Sequence, residues 1–245
     1  MKKITSLTNE YVKELVKLHD KKYRDDKRKF IIEGYNLISE AKEALETVLI
    51  VDEKDMVAGV ENILVTEEII NKIAFTKTPQ KIIGICNYLE DFKLTGERFL
   101  LLDQLQDPGN VGTLVRSALG FAIDLVIFSK GSVDIYNDKF IRATQGALFK
   151  IKIITGDLPE IILELKKQEV KIIGTSLSSS VSLEAITSEK KYALILGNEA
   201  NGVSKELLEL TDVNVKIAIN PLLESLNVGV AGGIILHYLA SKNQK

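Results

Sequence analysis

From Arg98 onward the chain alternates short apolar runs with helix-length amphipathic stretches, and this βα rhythm constrains its fold more than any other feature. The rhythm predicts strands over 98–103, 124–128, 150–154, 171–176, 191–196 and 213–219. It predicts helices over 110–121, 138–146, 159–168, 203–209 and 225–241. Such alternation builds a mostly parallel sheet covered by helices. Ligands of open α/β sheets bind beyond the carboxyl ends of the strands. Three expected strands lead into polar or glycine-rich turns. Phe99–Leu102 runs toward Asp107-Pro-Gly-Asn-Val-Gly112, Tyr192–Leu196 into Gly197-Asn-Glu-Ala-Asn-Gly202, and Val215–Ile219 toward Glu224-Ser-Leu-Asn-Val228. Three such turns suggest one composite site.

The first ninety residues have a different pattern. Thr8 is the expected cap of a helix from Asn9 to about His19, with Tyr11, Leu15 and Leu18 on one face. A basic loop and the apolar run Phe30-Ile-Ile32 follow, then a helix from Tyr35 to Leu45. Strands are expected at 47–51, 63–65 and 81–86, with a helix over 66–74. This reads as a small α/β sandwich over 1–90, a charged linker at 91–97, and the larger α/β domain over 98–245.

Composition narrows the function classes. With 245 residues, 45% hydrophobic and 27% charged, the chain reads as a globular protein with no bilayer-spanning run and no secretory h-region. Cys86 is the only cysteine, so an intramolecular disulfide is impossible and a buried inert thiol is expected. A cytoplasmic protein fits these features. No Gly-x-Gly-x-x-Gly fingerprint follows the first strand of the larger domain, and there is no P-loop and no Gly-x-Ser-x-Gly turn. His19 and His237 lie far apart in sequence, so no metal site is expected, and His237 reads as a structural histidine on a core face. What remains is a site of Asn, Glu, Arg and glycine turns. Such groups suit a transfer in which the donor, S-adenosylmethionine for example, carries the reactivity.

Net charge is −2, yet seven Lys/Arg lie between Lys17 and Lys29 against three Asp. Charge alone makes this a solvated loop after a surface helix, or a local phosphate-binding patch.

Three motifs decide between these readings: Asp107-Pro-x-Asn110-x-Gly-x-x-x-Arg116, Gly197-Asn-Glu199-x-x-Gly202, and Ser225-Leu-Asn-Val-Gly-Val-Ala231. Together they resemble the SpoU (TrmH) family of RNA ribose 2′-O-methyltransferases. The stretch Tyr23 to Gly34 resembles the start of that family's substrate-binding domain, related to the L30e/L7Ae fold. The resemblance implies a SPOUT-type, Rossmann-like methyltransferase domain with a C-terminal trefoil knot, a rare exception to the rule that chains do not knot. It implies Arg116 as the catalytic residue, Asn110 as a site-ordering residue, and Glu199, Ser225 and Asn227 as further site residues. S-adenosylmethionine would be held at Gly197, Ile217, Ile219 and Leu226. RNA would be held by Lys21, Lys22, Arg24, Lys27, Arg28 and Lys29. Two departures stand out: Ile217-Ala-Ile-Asn-Pro221 replaces the usual Ile-Pro-Met-x-Gly, and Gly229 replaces a serine. The implied partners are RNA, with 23S ribosomal RNA foremost, and a second copy of the chain. The final helix, with Leu226, Val230, Ile234, Leu236 and Leu239 on an apolar face and Gly229, Gly232 and Gly233 beside them, is the expected dimer contact. A non-catalytic RNA-binding or ribosome-assembly protein on the same fold is the alternative.

Overall fold

The structure is a computed structural model and describes residues 1–90, 92–178, 180–187 and 189–242. Asp91, where the expected linker begins, and the last three residues of the expected second domain lie outside the described residues. In chain order the first elements are β1 (Lys2–Ile4), α1 (Glu10–Lys17), α2 (Lys21–Lys27), β2 (Lys29–Glu33), α3 (Tyr35–Glu40), β3 (Leu45–Ile50), β4 (Glu61–Val65), α4 (Glu67–Ile73) and β5 (Ile82–Asn87). Then come β6 (Arg98–Asp103), α5 (Pro108–Gly120), β7 (Leu125–Ser129), α6 (Asp138–Thr144), β8 (Lys152–Gly156), α7 (Leu158–Lys167) and β9 (Lys171–Thr175). The chain closes with β10 (Val181–Ser182), β11 (Tyr192–Gly197), α8 (Lys205–Glu209), β12 (Val213–Lys216) and α9 (Val228–Lys242).

The chain forms two compact units. One is Met1–Glu90 together with Tyr136–Phe149, and the other is the remainder. The helix expected over 138–146, α6, therefore packs with the N-terminal residues.

The first unit is a five-stranded mixed sheet in the order β1-β4-β3-β5-β2. Its core joins Val12 and Leu15 from α1, with Leu18 just beyond it, to Ile69, Ile70 and Ile73 from α4, over Leu49, Ile63 and Ile83 of the sheet. Asn9, not Thr8, caps α1, accepting from the Tyr11 N–H at 3.0 Å. The basic stretch is helical rather than a loop. Asp20 caps α2 through the Tyr23 N–H, Lys21 pairs with Asp25 one turn on, and the helix stops at Arg28 with φ 53°. The helix expected to reach Leu45 ends at Glu40, because Leu45 opens β3. Burial pushes the Cys86 thiol far above its usual range, which keeps it inert.

The second unit is a seven-stranded sheet in the order β10-β12-β9-β11-β6-β7-β8, with every pairing parallel. Its central strand β11 is buried from end to end and β6 is buried from Phe99 on, as expected when both faces are covered. On one face, Leu158, Ile162 and Leu165 of α7 and Leu207 of α8 pack on Phe99, Leu101, Ile127 and Ile195. On the other, α5 packs against α9, and Gly232 fits between Leu114 and Leu196, where a Cβ would come within 2.3 Å and 2.7 Å of their side chains.

Several expectations for the final helix are corrected here. It begins at Val228, so Ser225 and Leu226 precede it, and Gly232 serves packing within the chain. Its buried face carries Gly229, Gly232, Ile235, Leu236 and Leu239, whereas Val230 and Ile234 point outward. His237 is not on the core face: it is exposed, with its ring edge against Phe121 at 5.7 Å.

Candidate active site

A cavity of about 740 Å³ opens at the carboxyl ends of β9, β11 and β12. That volume is typical of a small-molecule site. Its walls are three segments: Thr175–Ser178 after β9, Leu196–Val203 after β11, and the chain from Val215 through Ile217 and Ile219 to Val228. β12 is shorter than expected and ends at Lys216, which frees Ile217 and Ile219 to follow the cavity wall as loop. Gly197, Ile217, Ile219 and Leu226 all line the cavity, as do Glu199, Ser225 and Asn227. The Thr175-Ser-Leu-Ser178 wall went unread in the sequence, although a small polar turn directly after a strand was its signal.

Gly197 has a structural reason to be glycine. A Cβ there would lie 2.0 Å from the Gly202 carbonyl carbon and 2.1 Å from the Val203 nitrogen. The close approach is made by the chain itself. Asn198 closes this turn: its carbonyl accepts from the Gly202 N–H at 2.8 Å, its Oδ1 accepts from the Ala200 N–H at 2.9 Å, and its Nδ2 donates to the Gln104 carbonyl at 3.0 Å.

Beside the cavity runs a directed chain of amide hydrogen bonds. Asn227 Oδ1 accepts from the N–H groups of Gly229 at 2.9 Å and Val230 at 3.3 Å, capping α9. Asn227 is therefore the helix cap. With its oxygen engaged there, its Nδ2 donates to Asn110 Oδ1 at 2.8 Å. Asn110 Nδ2 in turn donates to Glu199 Oε1 at 2.9 Å. Asn110 is fixed from behind as well, its N–H donating to Asp107 Oδ1 at 2.7 Å at the start of α5. Three residues far apart in sequence thus meet, and their amide orientations follow from the helix backbone. Arg116 lies almost two turns along α5 from Asn110, exposed, and makes no ion pair among the described residues.

The basic residues of the first unit separate into two kinds. Arg24 is 5% exposed and donates to the carbonyls of Leu18 and His19 at 2.9 Å each, so it is structural and not a surface contact for RNA. Lys21, Lys27 and Lys29 pair with Asp25, Asp26 and Glu46. Lys22 is exposed and makes no ion pair among the described residues. Arg28 lies over the Tyr88 ring at 4.9 Å, and Tyr88 stacks on Tyr136 at 3.7 Å. Among the described residues there is no cluster able to hold a metal ion, and no helix is long and apolar enough to cross a membrane.

Residues 97–237 match the SpoU rRNA methylase family, and residues 9–84 match the MRM3-like substrate binding domain. The chain belongs to the SpoU rRNA methylase family. It is 37% identical to the 23S rRNA (guanosine(2553)-2′-O)-methyltransferase RlmP of Bacillus subtilis, over 98% of this chain and 99% of that one. A shorter match, 36% identical over 56% of this chain and 55% of the relative, is to the 23S rRNA (guanosine-2′-O-)-methyltransferase RlmB of Xylella fastidiosa. The structure superposes with a TM-score of 0.88 on an AdoMet-bound rRNA methyltransferase from Sinorhizobium meliloti, 29% identical, covering 98% of this chain and 97% of that one. This SpoU protein is an enzyme, an RNA ribose 2′-O-methyltransferase, and its cofactor is S-adenosylmethionine.

The cavity fits that cofactor. Leu177, Leu196, Ile217, Ile219 and Leu226 supply apolar walls, the flanking turns supply backbone donors and acceptors, and the Glu199 and Glu224 carboxylates complement a sulfonium cation.

Proposed function

We propose that this SpoU enzyme methylates the ribose 2′-OH of a guanosine in 23S rRNA. The observation that carries the reading is the 37% identity to the Bacillus subtilis guanosine methyltransferase across essentially both whole chains. When bound, S-adenosylmethionine supplies an electrophilic methyl group, so the protein needs to align an oxygen more than to create a nucleophile. Gly197, Ile217, Ile219 and Leu226 line the cofactor cavity. Asn110, itself held by Asn227, binds one oxygen of Glu199, which leaves Glu199 Oε2 to orient the ribose or the arginine. Arg116, exposed and without an ion pair among the described residues, engages the RNA phosphate and stabilises the hydroxyl as it loses its proton. A guanidinium is too weak a base to take that proton itself, so the proton passes to solvent water. Residues 1–90 present RNA, with Lys22 and Arg28 as the contacts left after the paired and buried cations are set aside, and residues 98–135 and 150–245 carry the chemistry. The working unit is a homodimer, joined through the outward face of α9 around Val230 and Ile234, and it acts in the cytoplasm.

Mapping ribose methylation across ribosomal and transfer RNA from cells with and without the gene tests this reading. One 23S rRNA guanosine should lose its methyl group in the deletion strain. Unchanged 23S rRNA, or a loss confined to transfer RNA, refutes it.

A further inference from the structure

Gln104 stands one residue beyond β6 with φ 53°, in the left-handed region that L-residues other than glycine seldom occupy. Two side chains hold it there. Its N–H donates to Ser129 Oγ at 2.8 Å, from the end of β7, and its carbonyl accepts from Asn198 Nδ2 at 3.0 Å. Glycine would make both bonds without conformational conflict, so the backbone gives no reason for a glutamine. Packing gives none either: the side chain is exposed and forms no hydrogen bond among the described residues. Its neighbour Gln106 differs, since its amide is tied to the Gly131 carbonyl. A locally disfavoured residue with no intramolecular return leaves its side chain free to serve a ligand, and its location decides whether it does.

The location narrows that function. Asn198, which binds the Gln104 carbonyl, directly precedes Glu199, and Glu199 is joined to Asn110 and Asn227. Gln104 therefore emerges beside the proposed reaction centre, on the carboxyl edge of the sheet where the substrate must arrive. A primary carboxamide offers an acceptor and two donors in one plane. That pattern complements the guanine edge on which O6 and N1–H lie side by side, and unpaired bases are read on that edge in single-stranded RNA.

The geometry points to Gln104 as a specificity-determining residue whose carboxamide pairs with the base of the nucleotide being methylated; this rests on the function proposed above. The experiment compares the unmodified enzyme with Gln104→Gly and Gln104→Asn. Substrates are a 23S rRNA fragment carrying the target guanosine and the same fragment with adenosine there. Gln104→Gly should fold with an equal or higher melting temperature and keep its S-adenosylmethionine affinity. Its kcat/KM for the guanosine fragment should fall by about 10- to 100-fold, the range of one bidentate base contact. Its preference for guanosine over adenosine should shrink by a similar factor. Gln104→Asn, which keeps the amide on a shorter arm, should fall between the two. Unchanged kcat/KM and preference in Gln104→Gly overturns the inference. An equal loss on both fragments also overturns it, since that outcome reports only a structural role. If the unmodified enzyme methylates neither fragment, the proposed function itself fails, and the inference falls with it.

Discussion

The guanidinium of Arg24 is spent on the carbonyls of Leu18 and His19 inside the first unit, while that of Arg116 stands exposed on α5 and makes no ion pair among the described residues. The two arginines should respond to substitution in opposite ways. Arg24→Met leaves the buried Leu18 carbonyl and the half-buried His19 carbonyl without their charged donor and should lower stability by about 2–3 kcal/mol. Urea unfolding would register that loss, while RNA affinity of the folded fraction stays unchanged. Arg116→Ala should leave the melting temperature and cofactor Kd near their original values and reduce kcat by about 100-fold or more. Turnover close to normal would remove Arg116 from the mechanism. Sequence alone could list Arg24 among the cations of a basic patch, because charge is visible there and burial is not. Motif spacing was a better guide to Asn110, Glu199 and Asn227. The hydrogen-bond chain linking them depends on three turns meeting in space, and no local pattern encodes that.

At the scale of elements, the βα rhythm was legible because parallel strands buried on both faces read as continuous apolar runs, as in Phe99–Leu102 and Tyr192–Leu196. What escaped were elements whose residues lack that signature. β1, Lys2–Ile4, is mostly exposed, and β10 has two residues, both exposed. α2 was hidden by its charge, although Asp20 as cap and Lys21 with Asp25 were its helical signals. The apolar composition of α9 concealed which face is buried, since nearly all its positions are apolar or small. Its glycines now separate by role. Gly232→Ala drives a methyl into Leu114 and Leu196 and should destabilise by about 1–3 kcal/mol. Gly233→Ala meets only the Ser117 hydroxyl at 3.7 Å and should be neutral or stabilising by up to about 1 kcal/mol through helix propensity. Thermal melts of the pair would check both signs, and equal effects would contradict the packing described.

For the whole molecule, the outward pair Val230 and Ile234, 52% and 41% exposed, gives α9 an apolar strip on the side away from the sheet. Two-fold pairing is the commonest closed symmetry for such a surface. Light scattering should give a particle of twice the 27.2 kDa chain mass. Val230→Lys with Ile234→Lys should return it to a monomer, and a monomeric mass for the unmodified enzyme would refute the pairing. The division of the chain into 1–90 and 98–245 read from sequence assumed that each unit uses one continuous stretch, and periodicity cannot reveal a return visit. Yet Phe30, fully buried, packs against Tyr136 at 4.8 Å and Phe149 at 6.3 Å within the first unit. On the ribosome this imposes an order of events. The N-terminal unit cannot seal its aromatic cluster until β6, α5 and β7 have been synthesised and Phe149 has left the exit tunnel, so a nascent chain paused earlier still presents Phe30 to chaperones.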